Sequence, residues 1–236
     1  MTDPFTELGA LTVPTLANAV ELFGAVPPNQ GYTRAPIACH FPDLGMCAAR
    51  AVTLTARTDR VAPSIDEPRY WEWLSSFDGP LVAVVQDLDD PPGGAMWGEW
   101  NAHVHRALGC IGTITQGAVR DLDALERLGF HAFATSVSVA HGYGVFAEFG
   151  VPVEVAGLRI ATGDLVVADR HGVLRIPPEV PIGELCDVAR RIDELEAEIF
   201  SFTKQADFSV RGLADLQASV LARWPRPRAI DGPAGI

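Results

Sequence analysis

"CIGTITQGAVRDLDAL" occupies Cys110–Leu125, and its reading decides how the chain is layered. Beta-branched and apolar residues run up to a glycine, Arg120 and Asp121 then stand side by side, and a helical pattern follows. A strand that feeds through a short turn into a helix is the repeating step of an α/β layer. Asp121 at that junction suits a helix N-cap, where a carboxylate accepts free backbone N–H groups. Arg120 by itself reads as a surface charge. The adjacent pair also reads as an anion clamp beside a metal ligand. What else reaches the same turn decides between the two readings.

Working outward, helix and strand signals alternate. "TVPTLANAVELFG" predicts a helix with Pro14 in its first turn and Gly24 as its stop. "CAARAVTLTA" has the alternation of a half-buried strand, and "GPLVAVVQDLDD" is a continuous apolar run ending in acids, as expected of a buried strand. "PPGG" then precedes a helix predicted to begin near Gly98, with Trp97, Trp100, Val104 and Leu108 on one apolar face and Gly109 at its end. After the opening stretch, "HAFATSVSV" predicts a further strand. Residues 151–176 are β-rich around a polar turn at Arg170 and His171, and helices are predicted over about 182–200 and 213–221. The pattern predicts an α/β fold of layered type, one domain over residues 1–225 with a C-terminal helical extension. The Pro-rich tail, 226–236, is expected to be loosely ordered.

Composition narrows the function classes. A formal net charge of −12 with no basic stretch argues against a protein that tracks nucleic-acid phosphates. No apolar run reaches membrane-spanning length, and the N-terminus lacks the basic and apolar regions of a secretory signal, so a cytoplasmic location is expected. Cys39, Cys47, Cys110 and Cys186 form no C-x-x-C pair and read as ordinary reduced thiols. Lys204 is the only lysine of the chain, and it stands in the polar segment "SFTKQADFS". Schiff-base chemistry needs a desolvated, partly neutral lysine, which this one is not.

Glu99 gives the Arg-Asp pair a context. Twenty residues separate it from Arg120, enough for one helix and one strand to return the chain to the same end of the sheet. In an α/β layer, that end carries the strand C-termini and helix N-termini that line a ligand crevice. The free amides of Trp100 and Asn101, near the start of the helix, would favour an anion there. Two carboxylates, an arginine and two amides suit a hard cation such as Mg²⁺ together with an anionic ligand. A competing metal site involves histidine. His103 and His105 point about 200° apart on a helix and cannot chelate together, but Glu99 and His103 share a face at i, i+4. His141 and His171 read as turn residues. No G-x-S-x-G or G-x-G-x-x-G pattern is present.

"GEWNAHVHRALGCIGTITQGAVRDLDAL" resembles the core signature of the metal-dependent 4-hydroxy-4-methyl-2-oxoglutarate aldolases, a superfamily that includes the regulators of ribonuclease activity A (RraA-like). "VPVEVAGLRIATGDLVVADRHGVLRIP" resembles its second block and "TVPTLANAVELFG" its N-terminal helix, so the similarity runs roughly from Leu11 to Phe200. The resemblance implies a swivelling β/β/α-type domain assembled as a homotrimer or homohexamer, with sites at subunit interfaces. It implies Mg²⁺ or Mn²⁺ on Asp121, a 2-oxo acid on Arg120, and Glu99 holding water at the metal. The substrate carboxylate would lie on the amides of Trp100 and Asn101, and Glu196, or alternatively Glu198, would complete a neighbour's site. The implied activity is aldol cleavage of a 4-hydroxy-2-oxo acid to pyruvate through an enolate, with oxaloacetate decarboxylation as a side reaction. The alternatives are a non-catalytic regulator that binds another protein, and an enzyme of different specificity using the same enolate. The sequence departs from the family pattern at Glu99, where aspartate is usual, at Thr162, where proline is usual, and at Asn18, where aspartate is frequent.

Overall fold

The computed structural model describes residues 4–226, so the expectation for the Pro-rich tail falls almost entirely outside the described residues. Contacts divide the chain into two compact units. The first contains the helices at the two ends of the described chain: α1 (Pro4–Gly9), α2 (Val13–Glu21), α6 (Ile182–Phe202) and α7 (Val210–Arg223). The Thr12 hydroxyl caps α2 by accepting from the Thr15 amide. The Thr15 hydroxyl in turn donates to Asp193 of α6 at 2.9 Å, fixing the register of the two helices. Arg223 of α7 grips Glu198 of α6 through two nitrogens, at 2.8 and 2.6 Å. Lys204 is exposed in a turn after α6.

The second unit spans residues 29–178 and holds β1 (Ala38–Cys39), β2 (Cys47–Arg57), α3 (Glu67–Leu74), β3 (Leu81–Asp87), β4 (Ala95–Trp97), α4 (Glu99–Ala107), β5 (Cys110–Val119), α5 (Leu122–Leu128), β6 (His131–Val137), β7 (Val145–Phe149), β8 (Val153–Val155), β9 (Leu158–Ile160), β10 (Leu165–Asp169) and β11 (Gly172–Ile176). The main sheet has the order β1-β6-β5-β3-β2-β10-β11, with β4 beside β5 and β7 beside β2. Its centre, β2-β3-β5-β6, is parallel. One face buries Leu54, Val85 and Phe130 with Tyr70 and Leu74 of α3 and Leu125 of α5. The other buries Val82, Val84, Ile114 and Phe133 against the β8–β9 hairpin. Hairpin, sheet and helices therefore stack as β/β/α layers, and the α/β class read from the sequence holds.

Three local expectations are corrected. β2 is covered on both faces along most of its length, so its small alternating side chains mark a crowded interior strand rather than a half-buried one. β5 does not stop at Gln116 but continues through Gly117 and Ala118 to Val119, because β4 pairs with this segment after a register shift. That strand, β4, also takes Trp97 out of the helix. α4 therefore starts at Glu99 and buries Ala102 and His105, leaving Trp100 76% exposed. Among the described residues, no helix is long and apolar enough to cross a membrane.

Candidate functional site

The corner between β5 and α5 is built by an unusual backbone. Asp121 occupies the position before α5 with φ 56° and ψ 40°, the left-handed region, and its side chain makes no capping bond to that helix. A non-glycine residue there is strained, by about 1 kcal/mol or more. Its carbonyl still accepts from the amides of Ala124 and Leu125. The turn aims the carboxylate the other way: Oδ2 accepts from the Glu99 amide at 3.0 Å, so Asp121 caps α4 instead of α5. Helix caps of this kind satisfy one of the free N–H groups at a helix start.

Two further contacts hold Arg120 and Asp121 in place. The Arg120 amide donates to the Trp97 carbonyl at 2.9 Å, tying the corner to β4. The Arg120 Nε lies 3.6 Å from Asp121 Oδ2, with both side chains only partly covered. Gly98 makes this packing possible. A Cβ on Gly98 would stand 2.6 Å from Asp121 Oδ2 and 3.0 Å from the Arg120 Cγ. The missing methyl is a cradle filled by a carboxylate and a guanidinium.

Glu99, Arg120 and Asp121 are thus brought to one place, together with the first turn of α4. The amides of Trp100 and Asn101, second and third in that helix, have no intrahelical acceptor by position. The Asn101 side chain donates to the Met96 carbonyl at 2.8 Å and steadies that turn. The Glu99 carboxylate is exposed and lies 3.8 Å from His103 Nε2, the shared face expected at i, i+4. His105 faces the interior, as its helical phase requires. Its Nδ1 donates to the Asn101 carbonyl at 2.7 Å, which leaves Nε2 to accept from the Tyr70 hydroxyl at 2.7 Å. Burial lowers the His105 pKa to about 4, so the ring is neutral.

A cavity of about 310 Å³ opens beside Arg120, lined among others by Ser64, Glu67, Met96, Asn101 and His141. Ser64, Glu67 and His141 carried no signal as site residues in the sequence, because only the tertiary fold brings α3 and the turn after β6 to α4. His141 does lie in a turn, as its "HGYG" context suggests, but that turn is a cavity wall. Glu196 and Glu198 lie on α6, in the other unit. Arg223 holds the Glu198 carboxyl below the usual carboxylate range, which leaves Glu196 as the less committed of the two.

The donor set at the corner fits a hard divalent cation of modest protein ligation. Among the described residues, no three His, Cys, Asp or Glu side chains form a ready cage. Mg²⁺ needs none: it characteristically keeps several waters and takes one or two carboxylates. The Asp121 carboxylate, 39% exposed and seated in the Gly98 cradle, is such a donor.

A deeper polar cluster supports the cavity from behind. Asp89, whose side chain is 2% exposed, accepts from the amides of Thr58 and Asp59 and from Arg57 and Arg60. The Asp59 amide, then Thr58 and the two arginines, hold its carboxyl well below the usual carboxylate range against the effect of burial. Burial raises the neighbouring Asp87 carboxyl, which accepts from the Thr58 hydroxyl at 2.7 Å. Thr162, at the position where proline was expected, accepts from the Thr53 amide and hydrogen-bonds its hydroxyl at 2.7 Å, so that departure ties the turn before β10 to β2.

Comparison with known proteins gives a consistent picture of the fold. The family model for RraA-like proteins (Aldolase/RraA) matches residues 7–175. A Halalkalibacterium halodurans protein provisionally named 4-hydroxy-4-methyl-2-oxoglutarate aldolase is 33% identical over 100 residues, 42% of this chain and 47% of that protein. The matches span half or less of the length of the curated relatives. An uncharacterized protein of Pseudomonas syringae pv. tomato superposes with a TM-score of 0.69 at 20% identity, over 92% of this chain and 93% of that one. A Streptomyces coelicolor protein described as an unusual member of the RNase ES inhibitor RraA family gives 0.64 at 22% identity, over 84% and 94% of the two chains. At these identities the two structures speak for the fold alone.

Proposed function

This chain belongs to the RraA-like (Aldolase/RraA) family, and from that premise we propose that it is a divalent-metal-dependent carbon–carbon lyase that cleaves a 4-hydroxy-2-oxo acid to pyruvate. The observation that carries the reading is the strained Asp121, whose carboxylate is aimed beside Arg120 and the first turn of α4. Strain of this kind persists where the surroundings enforce it, and it clusters at functional sites. Asp121 would hold Mg²⁺ or Mn²⁺ directly, with Glu99 and a neighbour's Glu196 reaching it through water. When bound, the cation supplies Lewis-acid withdrawal of electrons from the 2-oxo group.

The chain's own groups do the rest. The amides of Trp100 and Asn101 receive the substrate carboxylate. The exposed Glu99 carboxylate takes the proton of the 4-hydroxyl through a water molecule. The C3–C4 bond then breaks, its electron pair forming the pyruvate enolate and leaving an aldehyde or ketone. The Arg120 guanidinium, beside Asp121 and on a backbone tied by its amide to the Trp97 carbonyl, faces the enolate oxygen and stabilises the developing charge. Protonation at C3 completes pyruvate. Oxaloacetate decarboxylation passes through the same enolate and is the expected side reaction. With the only lysine exposed on another unit's turn, an imine route has no candidate. The family's oligomeric habit suggests a trimer or hexamer.

A regulator that binds another protein is the second reading. It draws on the Streptomyces relative, but it gives no account of a strained carboxylate beside an arginine. The deciding measurement is pyruvate release, coupled to lactate dehydrogenase, from several 4-hydroxy-2-oxo acids and oxaloacetate with and without Mg²⁺. Activity abolished by EDTA and restored by Mg²⁺ or Mn²⁺ supports the lyase. No turnover of any of them, together with stable capture of a protein partner, supports the regulator.

A further inference from the structure

We infer that the cavity beside Arg120 favours 2-oxo acids whose far end is neutral and hydroxyl-bearing over those with a second carboxylate, for which turnover is the slower side reaction. The inference rests on the lyase reading for its orientation, since it takes the 2-oxo acid carboxylate to lie at Arg120 and α4. Among the described residues lining the cavity, Arg120 supplies the one guanidinium and Glu67 the one carboxylate. Once Arg120 is occupied by the 2-oxo acid group, the far end of the substrate faces Glu67, the Ser64 hydroxyl, the His141 imidazole and the apolar Met96 and Phe146. A sphere of 310 Å³ is only about 8 Å across, within one Debye length at physiological salt. A second carboxylate in it is therefore felt by Glu67, and among the described residues that line the cavity Arg120 is the one cationic side chain, already taken by the 2-oxo acid group. A hydroxyl finds partners, and an alkyl group finds apolar surface.

The far wall cannot easily move aside. The turn carrying His141 is pinned by the Ala95 amide on the Ala140 carbonyl at 2.8 Å, by the Gly144 amide on the His141 carbonyl at 3.0 Å, and by the Tyr143 amide on the Thr58 carbonyl at 2.9 Å. Its packing is closed: a Cβ on Gly94 would meet the His141 backbone at 2.5 Å, and one on Gly142 would meet the Thr58 carbonyl at 2.2 Å. Thr58 is itself held by Asp87 and Asp89. On the other side, Tyr70 lies one turn after Glu67 on α3 and hydrogen-bonds His105 of α4, whose other nitrogen grips the Asn101 carbonyl. The helix bearing Glu67 and the helix bearing Asn101 are thus locked to each other. Charges at fixed positions discriminate by repulsion as well as by attraction.

The test compares kcat/KM for 4-hydroxy-2-oxopentanoate, whose far end is neutral, with that for 4-hydroxy-4-methyl-2-oxoglutarate, which carries a second carboxylate. Wild type should favour the neutral substrate by about tenfold or more, Glu67→Gln should narrow the ratio, and Glu67→Arg should reverse it. A wild-type ratio near one, or a ratio unmoved in Glu67→Gln, overturns the inference. Binding separates this from failure of the lyase reading. Isothermal titration with 2-oxobutanoate and 2-oxoglutarate in the presence of Mg²⁺ should show the same preference and the same reversal even if nothing is cleaved. Equal affinity for both, or binding of neither, overturns the selectivity whatever the turnover. Circular dichroism of both variants checks that α3 is intact.

Discussion

Asp89 and Asp121 are the same residue at the same kind of place, just beyond the C-terminal end of a parallel strand, and the fold treats them in opposite ways. Asp89 is almost wholly covered and accepts from two amides and two arginines. It ties the segment after β2 to the segment after β3. Asp121 is more than a third exposed, sits in left-handed backbone, and has a single amide and a loosely placed guanidinium for company. Every lone pair of the first carboxylate is spent on structure. The second is held with unused acceptor capacity, at a cost in backbone strain. The difference separates a carboxylate that builds a wall from one that is available to a ligand.

Mutations should split the two roles. Asp121→Asn keeps a side chain that tolerates the left-handed region and can still accept from the Glu99 amide. Its stability should stay within about 0.5 kcal/mol of wild type, while metal-stimulated pyruvate release falls by roughly 10³-fold, near 4 kcal/mol of transition-state stabilisation. A variant that retains activity would place the chemistry elsewhere. Asp89→Ala should do the reverse. Leaving two arginines and two amides without their acceptor should cost about 3 kcal/mol, or roughly 10 °C in Tm for a chain of this size. Thermal melts in the presence and absence of Mg²⁺ read this directly, and the loss should persist in both.

The contrast between these aspartates was only half legible in the sequence. Strand, turn and helix could be read around Asp121 because period and glycine placement are local signals, and Glu99 could be joined to Arg120 by its spacing alone. That the Asp121 carboxylate caps α4 and not α5 could not be read, since it follows from a backbone angle that aspartate adopts rarely. "QDLDD" gives no sign that Asp87 and Asp89 are buried while Asp90 is an ordinary surface acid. The helical period puts Trp100 on the apolar face of its helix because nothing local marks the three-residue β4, and without that strand the helical phase starts two residues too early. Glu67 and His141 were missed for a different reason. They reach the cavity from segments far apart in sequence, and no local pattern encodes that meeting.

A pair of glycines sharpens the comparison at smaller scale. Gly98→Ala would place a methyl 2.6 Å from Asp121 Oδ2, but the atoms in its way are side-chain ends that can swing. The fold should lose no more than about 1 kcal/mol. A displacement of about 1 Å at Asp121 and Arg120 should nevertheless lower kcat/KM by roughly a hundredfold. In Gly94→Ala the obstacle is the backbone of His141 at 2.5 Å, which cannot give way. That variant should lose about 2–3 kcal/mol of stability, measured by urea unfolding. If both glycines behaved alike, the separation between a yielding site and a rigid wall would be lost.

The smallest effect concerns pH and asks which buried group responds first to acid. Asp89, held far below the usual carboxylate range, remains ionised throughout mild acid. His105 is different, because burial lowers its pKa to about 4 in the fold, against about 6.5 in an unfolded chain. Below pH 6.5 the unfolded chain takes up a proton that the folded one refuses, so stability present at neutral pH is lost as pH falls towards 4. Between pH 7 and pH 5 the share of the loss due to His105 should come to about 2 kcal/mol, beside smaller shares from His40 and His131, whose pKa values burial also lowers. It should be reduced in His105→Gln, which has no proton to take up in that window. His105 lies beneath the first turn of α4 and not in the cavity, so denaturation midpoints should carry this dependence in the absence of any substrate. If wild type and His105→Gln lost equal stability over that range, some other group would be the acid-sensitive element, and the Tyr70–His105 lock would not be what acid opens first.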